Sequence, residues 1–287
     1  VDQEYACEYL CPSANGCSMN IHYYNWSGIS LQHAGAFIGF DLYGEAVTWD
    51  VLKNDQPKLL CVTHGHPEHA GSLRRFLEAP EARPYLENIH LISSPAVTAH
   101  INRRNILLPA NVHRIKAGES ITLNEIKITA FTWVHMPLLP PGFKHKVDYL
   151  LQLALHPFDL LRIGSQGLRL PMNAPQLGFH VRYPDGTTVL NYAEGVHRLT
   201  NPQEVQRVAR ILPADMLLFA VEPDDAESIP RWVEMLSPQE VYLYEAHRPW
   251  RDLFHLPFID LEVYRQRLQQ QFQTIVFHAL TQPGIVQ

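Results

Sequence analysis

Apolar residues along this 287-residue chain recur with two alternating periods. Short runs rich in β-branched and aromatic residues, bounded by Gly, Asn or Pro, predict strands at 20–24, 29–32, 36–42, 58–63 and 89–93. Helical spacing takes over between them. Leu73, Phe76 and Leu77 predict a helix over 69–77, and Ser93-Ser94-Pro95 starts another over 95–102. The runs 121–123 and 126–134, joined around Asn124-Glu125, read as a hairpin. The second half keeps the rhythm: strands at 178–183 and 187–191 flank the turn signal Pro184-Asp185-Gly186. Asn201-Pro202-Gln203-Glu204 supplies an N-cap, a first-turn proline and an acid at the third helical position, so a helix runs from there to about 211. A strand at 216–221, a helix at 228–236, a strand at 241–244 and a helix at 261–272 complete the series. With no low-complexity segment or clear internal repeat, strands alternating with helices in two halves predict an α/β layered domain.

The stretch 136–176 breaks that rhythm. It carries Pro137, Pro140, Pro141, Pro157 and Pro171 among leucine-rich runs, and it is longer than an ordinary connection. We expect a partly helical cap over a binding site, a stabilising flap or subunit contact being the plainer alternative; homo-oligomerisation is left open by the same stretch.

Composition narrows the classes. Hydrophobic residues make up 46%, enough for a real core, and the excess of 29 acids over 23 bases argues against a nucleic-acid or anionic-membrane partner. The most apolar long segment, 149–161, is interrupted by Gln152, His156 and Pro157, which excludes a transmembrane span there. With no apolar leader visible either, the expected setting is cytoplasmic and the expected partner a small-molecule substrate. Cys7, Cys11 and Cys17 crowd the first residues without the Cys-x-x-Cys pairing of zinc knuckles, so free thiols are expected; Cys61 reads as core packing.

Chemistry concentrates in Thr63-His64-Gly65-His66-Pro67-Glu68-His69-Ala70-Gly71-Ser72, which places three imidazoles and a carboxylate in a loop after an apolar strand. His with carboxylate suits zinc and its first-row neighbours. Pro67 restricts His66 to extended conformations. Such a site takes ligands from several segments, and three later residues stand where a strand ends: His135, Glu194 and His247. In layered α/β folds those loop ends converge on one edge. Arg248, beside His247, is a candidate anion contact for substrate. His145 and His197 are more simply surface side chains.

This order, His64, His66, Glu68, His69, then His135, Glu194 and His247, resembles the metallo-β-lactamase superfamily, and strand, helix and ligand order agree with it from about residue 20 to 276. The resemblance implies a four-layer αββα sandwich of two mixed β-sheets flanked by helices, formed as one domain over 1–287. It further implies that His64, His66 and His135 hold one metal and Glu68, His69 and His247 a second, with Glu194 bridging them and Glu68 also acting in catalysis. Zinc is the expected metal, as one or two ions, with manganese or iron as alternatives. A water acidified by the ions to hydroxide would cleave an ester, lactone or phosphodiester. The stretches Asn25-Trp26-Ser27-Gly28 and Ile38-Gly39-Phe40-Asp41 also look like the opening of the branch of sugar-phosphate lactonases and N-acylphosphatidylethanolamine-type phospholipases.

Two departures stand out. Glu68 and Glu194 occupy positions where the family usually has Asp, each adding one methylene of reach, and Gly195 replaces a hydroxyl residue. A site re-spaced as a unit is one explanation. Loss of a metal, leaving a catalytically degenerate binding protein, is the alternative; an iron-containing redox protein is the third. The apolar run 150–161 leans towards a lipid-like or aromatic substrate.

Overall fold

The structure, a computed structural model, describes residues 19–42, 56–71, 73–136, 140–141, 143–167 and 170–286. Cys7, Cys11 and Cys17 lie outside them. Two seven-stranded sheets form the centre. The first opens with an antiparallel meander, β1 (Asn20–Asn25), β2 (Gly28–His33) and β3 (Ala36–Phe40), and continues in parallel through β4 (Lys58–Cys61), β5 (Ile89–Ser93) and β6 (Val112–Arg114). The second repeats that plan: β7 (Ser120–Leu123), β8 (Ile126–Thr132), β9 (Leu177–Arg182) and β10 (Thr188–Ala193) are antiparallel, then β11 (Met216–Ala220), β12 (Glu240–Tyr244) and β13 (Val276–Leu280) run parallel. The last strand, β14 (Gly284–Val286), returns to pair with β1 and ties the end of the described chain to the first sheet.

The packing follows from the strands' composition. β4 and β10 are buried along their whole length, as strands covered on both faces should be. Between the sheets, Phe40, Leu59, Cys61, Ile128, Phe179 and Val181 belong to one continuous apolar layer. Outside the first sheet, α1 (Leu73–Glu78) and α2 (Pro95–Ile101) seat Leu73, Leu77, Val97 and Ile101. Outside the second, α5 (Pro202–Ile211), α6 (Ile229–Leu236) and α8 (Leu261–Gln271) contribute Val205, Trp232, Val233 and Leu268. The result is the four-layer αββα sandwich. Asn201 caps α5 as its sequence predicts, its side chain accepting the Gln203 amide at 3.0 Å.

Element boundaries differ where tertiary demands intervene. The helix expected over 69–77 is split into a π-helical turn, Pro67–Gly71, and α1. The strand expected over 58–63 ends at Cys61, because the Thr63 amide is taken by the Asp41 carboxylate at 2.8 Å. Asn124 and Glu125 both take left-handed conformations, φ 50° and 66°, which closes the β7–β8 hairpin as expected. Within 136–176, α3 (Phe143–Leu155) and α4 (Pro157–Gly167) meet at His156, where Pro157 begins the second helix. Their outer surface leaves Leu151, Leu155 and Phe158 exposed, Phe158 at 84%. No helix among the described residues is long and apolar enough to cross a membrane.

Phe179→Ala, in the layer between the sheets, should lower unfolding free energy by about 3–5 kcal/mol in a urea titration. Phe158→Ala on the outer surface of α4 should change it by no more than about 0.5 kcal/mol.

Candidate metal centre

The metal-binding candidates meet at the edge where the two sheets open. Asp41, just after β3, has a left-handed backbone (φ 46°) and a fully buried carboxylate. It accepts the Thr63 amide and hydroxyl, both at 2.8 Å, and lies 3.0 Å from His69 Nδ1. One carboxylate thereby fixes the loop that carries His64, His66 and His69. Downstream of it, the π-helical turn presents Glu68 and His69; such turns widen the helix by one residue and re-aim its side chains. On the second sheet, β10 shifts register between Asn191 and Ala193, and Ala193 adopts φ 49°, so that Glu194 enters the cluster fully buried. Gly195 follows because no side chain fits: a Cβ there would sit 2.6 Å from Trp133 Cβ.

Three imidazoles are anchored in the same manner. His64 Nδ1 donates to Thr63 Oγ1 at 2.9 Å, His135 Nδ1 to the Met136 carbonyl at 2.8 Å, and His247 Nδ1 to Glu222 Oε1 at 2.9 Å. Each turns its Nε2 towards the cluster. The donor atoms of His64, His66 and His135 lie within 4.8 Å of one another, as do those of His64, His69 and Glu194. Glu194 holds the middle, with Oε1 3.0 Å from His69 Nε2 and Oε2 3.0 Å from His135 Nε2. His247 Nε2 completes the ring, 3.8 Å from Glu194 Oε1 and 3.9 Å from Glu68 Oε1. Glu68 Oε1 is in turn 3.6 Å from His66 Nδ1. The seven residues proposed as ligands from sequence therefore meet in one place.

The buried charges of the cluster are matched to one another. Burial, reinforced by the neighbouring His69, pushes the His64 imidazole well below its ordinary pKa and keeps its lone pair unprotonated. Burial opposes charge at His69 too, but the Asp41 and Glu194 carboxylates on either side outweigh it and hold that ring well above the ordinary value. Glu194, despite complete burial, is held well below the usual carboxylate range by His69, His247 and His135. His64 Nε2 is buried with no hydrogen-bond partner, while His135 Nε2 and Glu194 Oε2 face each other at 3.0 Å. A buried orphan acceptor is costly, and a coordinated cation satisfies it, so the donor set fits a first-row ion.

Sequence patterns passed over Asp41 and Glu222, although each is an acid just past a strand, the feature used to choose Glu194. Arg251 Nε holds Glu222 Oε2 at 2.6 Å, so His247 is braced through a carboxylate to a guanidinium. His197 is buried and structural: Nε2 donates to the Val134 carbonyl at 2.8 Å and Nδ1 accepts the Leu199 amide at 3.2 Å, pinning the strand end before His135. His145 is exposed on α3. Arg248 points elsewhere, paired with Asp252 at 2.9 Å and stacked 3.6 Å over the Phe258 ring.

Above the cluster lies a cavity of about 1440 Å³, walled by His66, Glu68 and His247 below and by residues of α3, α4 and α7 (Arg248–Leu253) above. Residues 34–146 match the family model described as the metallo-beta-lactamase superfamily. The matched stretch carries His64, His66, Glu68, His69 and His135, and its likeness is to the metallo-β-lactamase superfamily. Igni18, a metallo hydrolase from the archaeon Ignicoccus hospitalis, superposes with a TM-score of 0.62 at 14% identity, covering 93% of this chain and 97% of that one. YhfI from Bacillus subtilis, a metallo-beta-lactamase fold protein, gives 0.58 at 11% identity over 93% and 98%. CmlA, a diiron β-hydroxylase from Streptomyces venezuelae, gives 0.58 at 12% identity; the match spans 96% of this chain but only 55% of CmlA. At these identities the likeness is one of fold. No curated protein matches the chain.

Replacing Asp41 with Ala strands the Thr63 amide and one face of His69 in the protein interior. Stability should fall by about 3 kcal/mol or more, measured by denaturant titration with chelator present so that metal loss does not contribute.

Proposed function

We propose that the chain is a metal-dependent hydrolase, with His64, His66 and His135 holding one ion and Glu68, His69 and His247 a second, bridged by Glu194. Zinc suits this imidazole and carboxylate set, and manganese or iron would also be accepted by it. The observation that carries the reading is the shared anchoring of His64, His135 and His247: each Nδ1 is tied to an oxygen while its Nε2 faces the cluster. Second partners of that kind orient imidazoles for coordination and raise their basicity.

A bound first-row ion supplies Lewis acidity towards a carbonyl or phosphoryl oxygen and lowers the pKa of water in its coordination sphere. The protein's own residues supply the rest. Asp41 and Glu222 keep His69 and His247 from rotating, so the donors need not reorganise when substrate arrives. Glu68, its side chain 16% exposed, lines the cavity beside His66 and His247, and its Oε1 is placed to accept or return a proton during cleavage. The α3–α4 segment acts as the cap, excluding bulk water above the cluster. The longer Glu side chains follow from the same geometry, since Glu194 spans His69 and His135 with its two oxygens. An ester, lactone or phosphodiester is the expected scissile group.

Elemental analysis of the purified chain beside His64→Ala/His66→Ala tests the reading. The wild type should carry one or two equivalents of zinc, manganese or iron, the double variant should lose at least one, and hydrolysis should drop about a hundredfold or more. Wild-type protein that takes up no metal on reconstitution would instead favour a binding protein on this fold, and iron with visible absorbance a redox role.

A further inference from the structure

The cavity over the cluster is larger than the chemistry of a small scissile group needs. Pockets for drug-sized ligands run to roughly 300–1,000 Å³, whereas this space is about 1440 Å³. Its upper walls are apolar and aromatic: Tyr149 and Leu153 from α3 face it from one side, Trp250 and Leu253 of α7 from the other. The Trp250 indole donates to the Tyr149 hydroxyl at 3.1 Å, joining helices 101 positions apart in sequence. The two helices thus meet in the wall of the space.

Charge in the cavity points the same way. Its two described arginines are already engaged, Arg251 with Glu222 at 2.6 Å and Arg162 with Asp159 at 3.2 Å on the outer rim. Asp224, exposed and lining the cavity, adds a carboxylate for which no ion pair is recorded among the described residues. A polyanion such as a nucleotide needs several unengaged cations, because phosphates are recognised by donated hydrogen bonds and positive charge. The described lining offers acids and aromatic rings instead.

We propose that this cavity takes the apolar body of the substrate, and that the substrate class is an amphiphile: an acyl or aryl body lodged between α3 and α7, with at most one negative charge at the group presented to the cluster. The assignment of the cleaved end rests on the hydrolase reading, whereas the seating of the body does not. Continuity of the cavity with His66, Glu68 and His247 places the body's polar end at the metal site. The leucines on the opposite face of the cap, Leu161 among them at 69% exposure, have no part in this seating.

Binding is tested first, on the full chain with and without chelator, using the neutral fluorophore N-phenyl-1-naphthylamine. It should bind in both conditions and be displaced by monodecanoylglycerol but not by ATP. Leu153→Arg should weaken binding about tenfold, as the loss of a buried apolar contact implies, while Leu161→Arg stays within about twofold of wild type. Leu253→Ser serves as a second cavity variant should Leu153→Arg melt early. Absent binding, displacement by ATP, or unchanged binding in both cavity variants overturns the proposal. With metal restored, kcat/KM for p-nitrophenyl esters should climb about tenfold from acetate to octanoate and flatten in Leu153→Arg. A flat series from a competent hydrolase overturns the substrate class. Hydrolysis of no ester or phosphodiester, with fluorophore binding intact, sinks the hydrolase reading and leaves the cavity's occupant standing.

Discussion

The site depends on one buried carboxylate. Asp41 stands at the end of β3, on the first sheet, and in a left-handed backbone conformation that few non-glycine residues adopt. Three groups converge on it: the Thr63 amide, the Thr63 hydroxyl and His69 Nδ1. Through Thr63 it also sets the orientation of His64, whose Nδ1 donates to the same hydroxyl. A buried carboxylate with that many partners is stabilised only while all of them stay in place. The loop is therefore rigid because its polar groups have nowhere else to go.

Glu194 plays the corresponding part from the second sheet. Its backbone is delivered by a bulge in β10, and its two oxygens meet imidazoles from two different segments. Asp41 and Glu194 lie on opposite sides of His69, so the two sheets are joined at the site by a carboxylate, an imidazole and a carboxylate in line. Apolar side chains fill the layer between the sheets, and a second polar link joins His33 of β2 to Asp185 in the β9–β10 turn at 2.7 Å.

Much of the fold was legible in the sequence because strand burial leaves a periodic trace. The strands at 20–24, 58–63 and 241–244 differ from the observed ones by one or two residues at their ends. What escaped was short or set by tertiary contacts. β6 and β14 have three residues each, too few for a period to register, and α7 has only six. The π-helical turn cannot be read from spacing, since Glu68 and His69 there answer to the cluster rather than to helix propensity. The residues that gather at the site were visible as histidines and acids at strand ends. Asp41 and Glu222 were not, because a positioning carboxylate looks like any other acid until its partner is known.

Gly65 gives the cap and the site a shared mechanics. Any Cβ at Gly65 would run into the backbone of Pro171, so the segment behind α4 rests directly on the turn between His64 and His66. With only hydrogen between them, the two backbones are in direct contact, so the cavity wall at Pro171 and the turn that aims two imidazoles share one support.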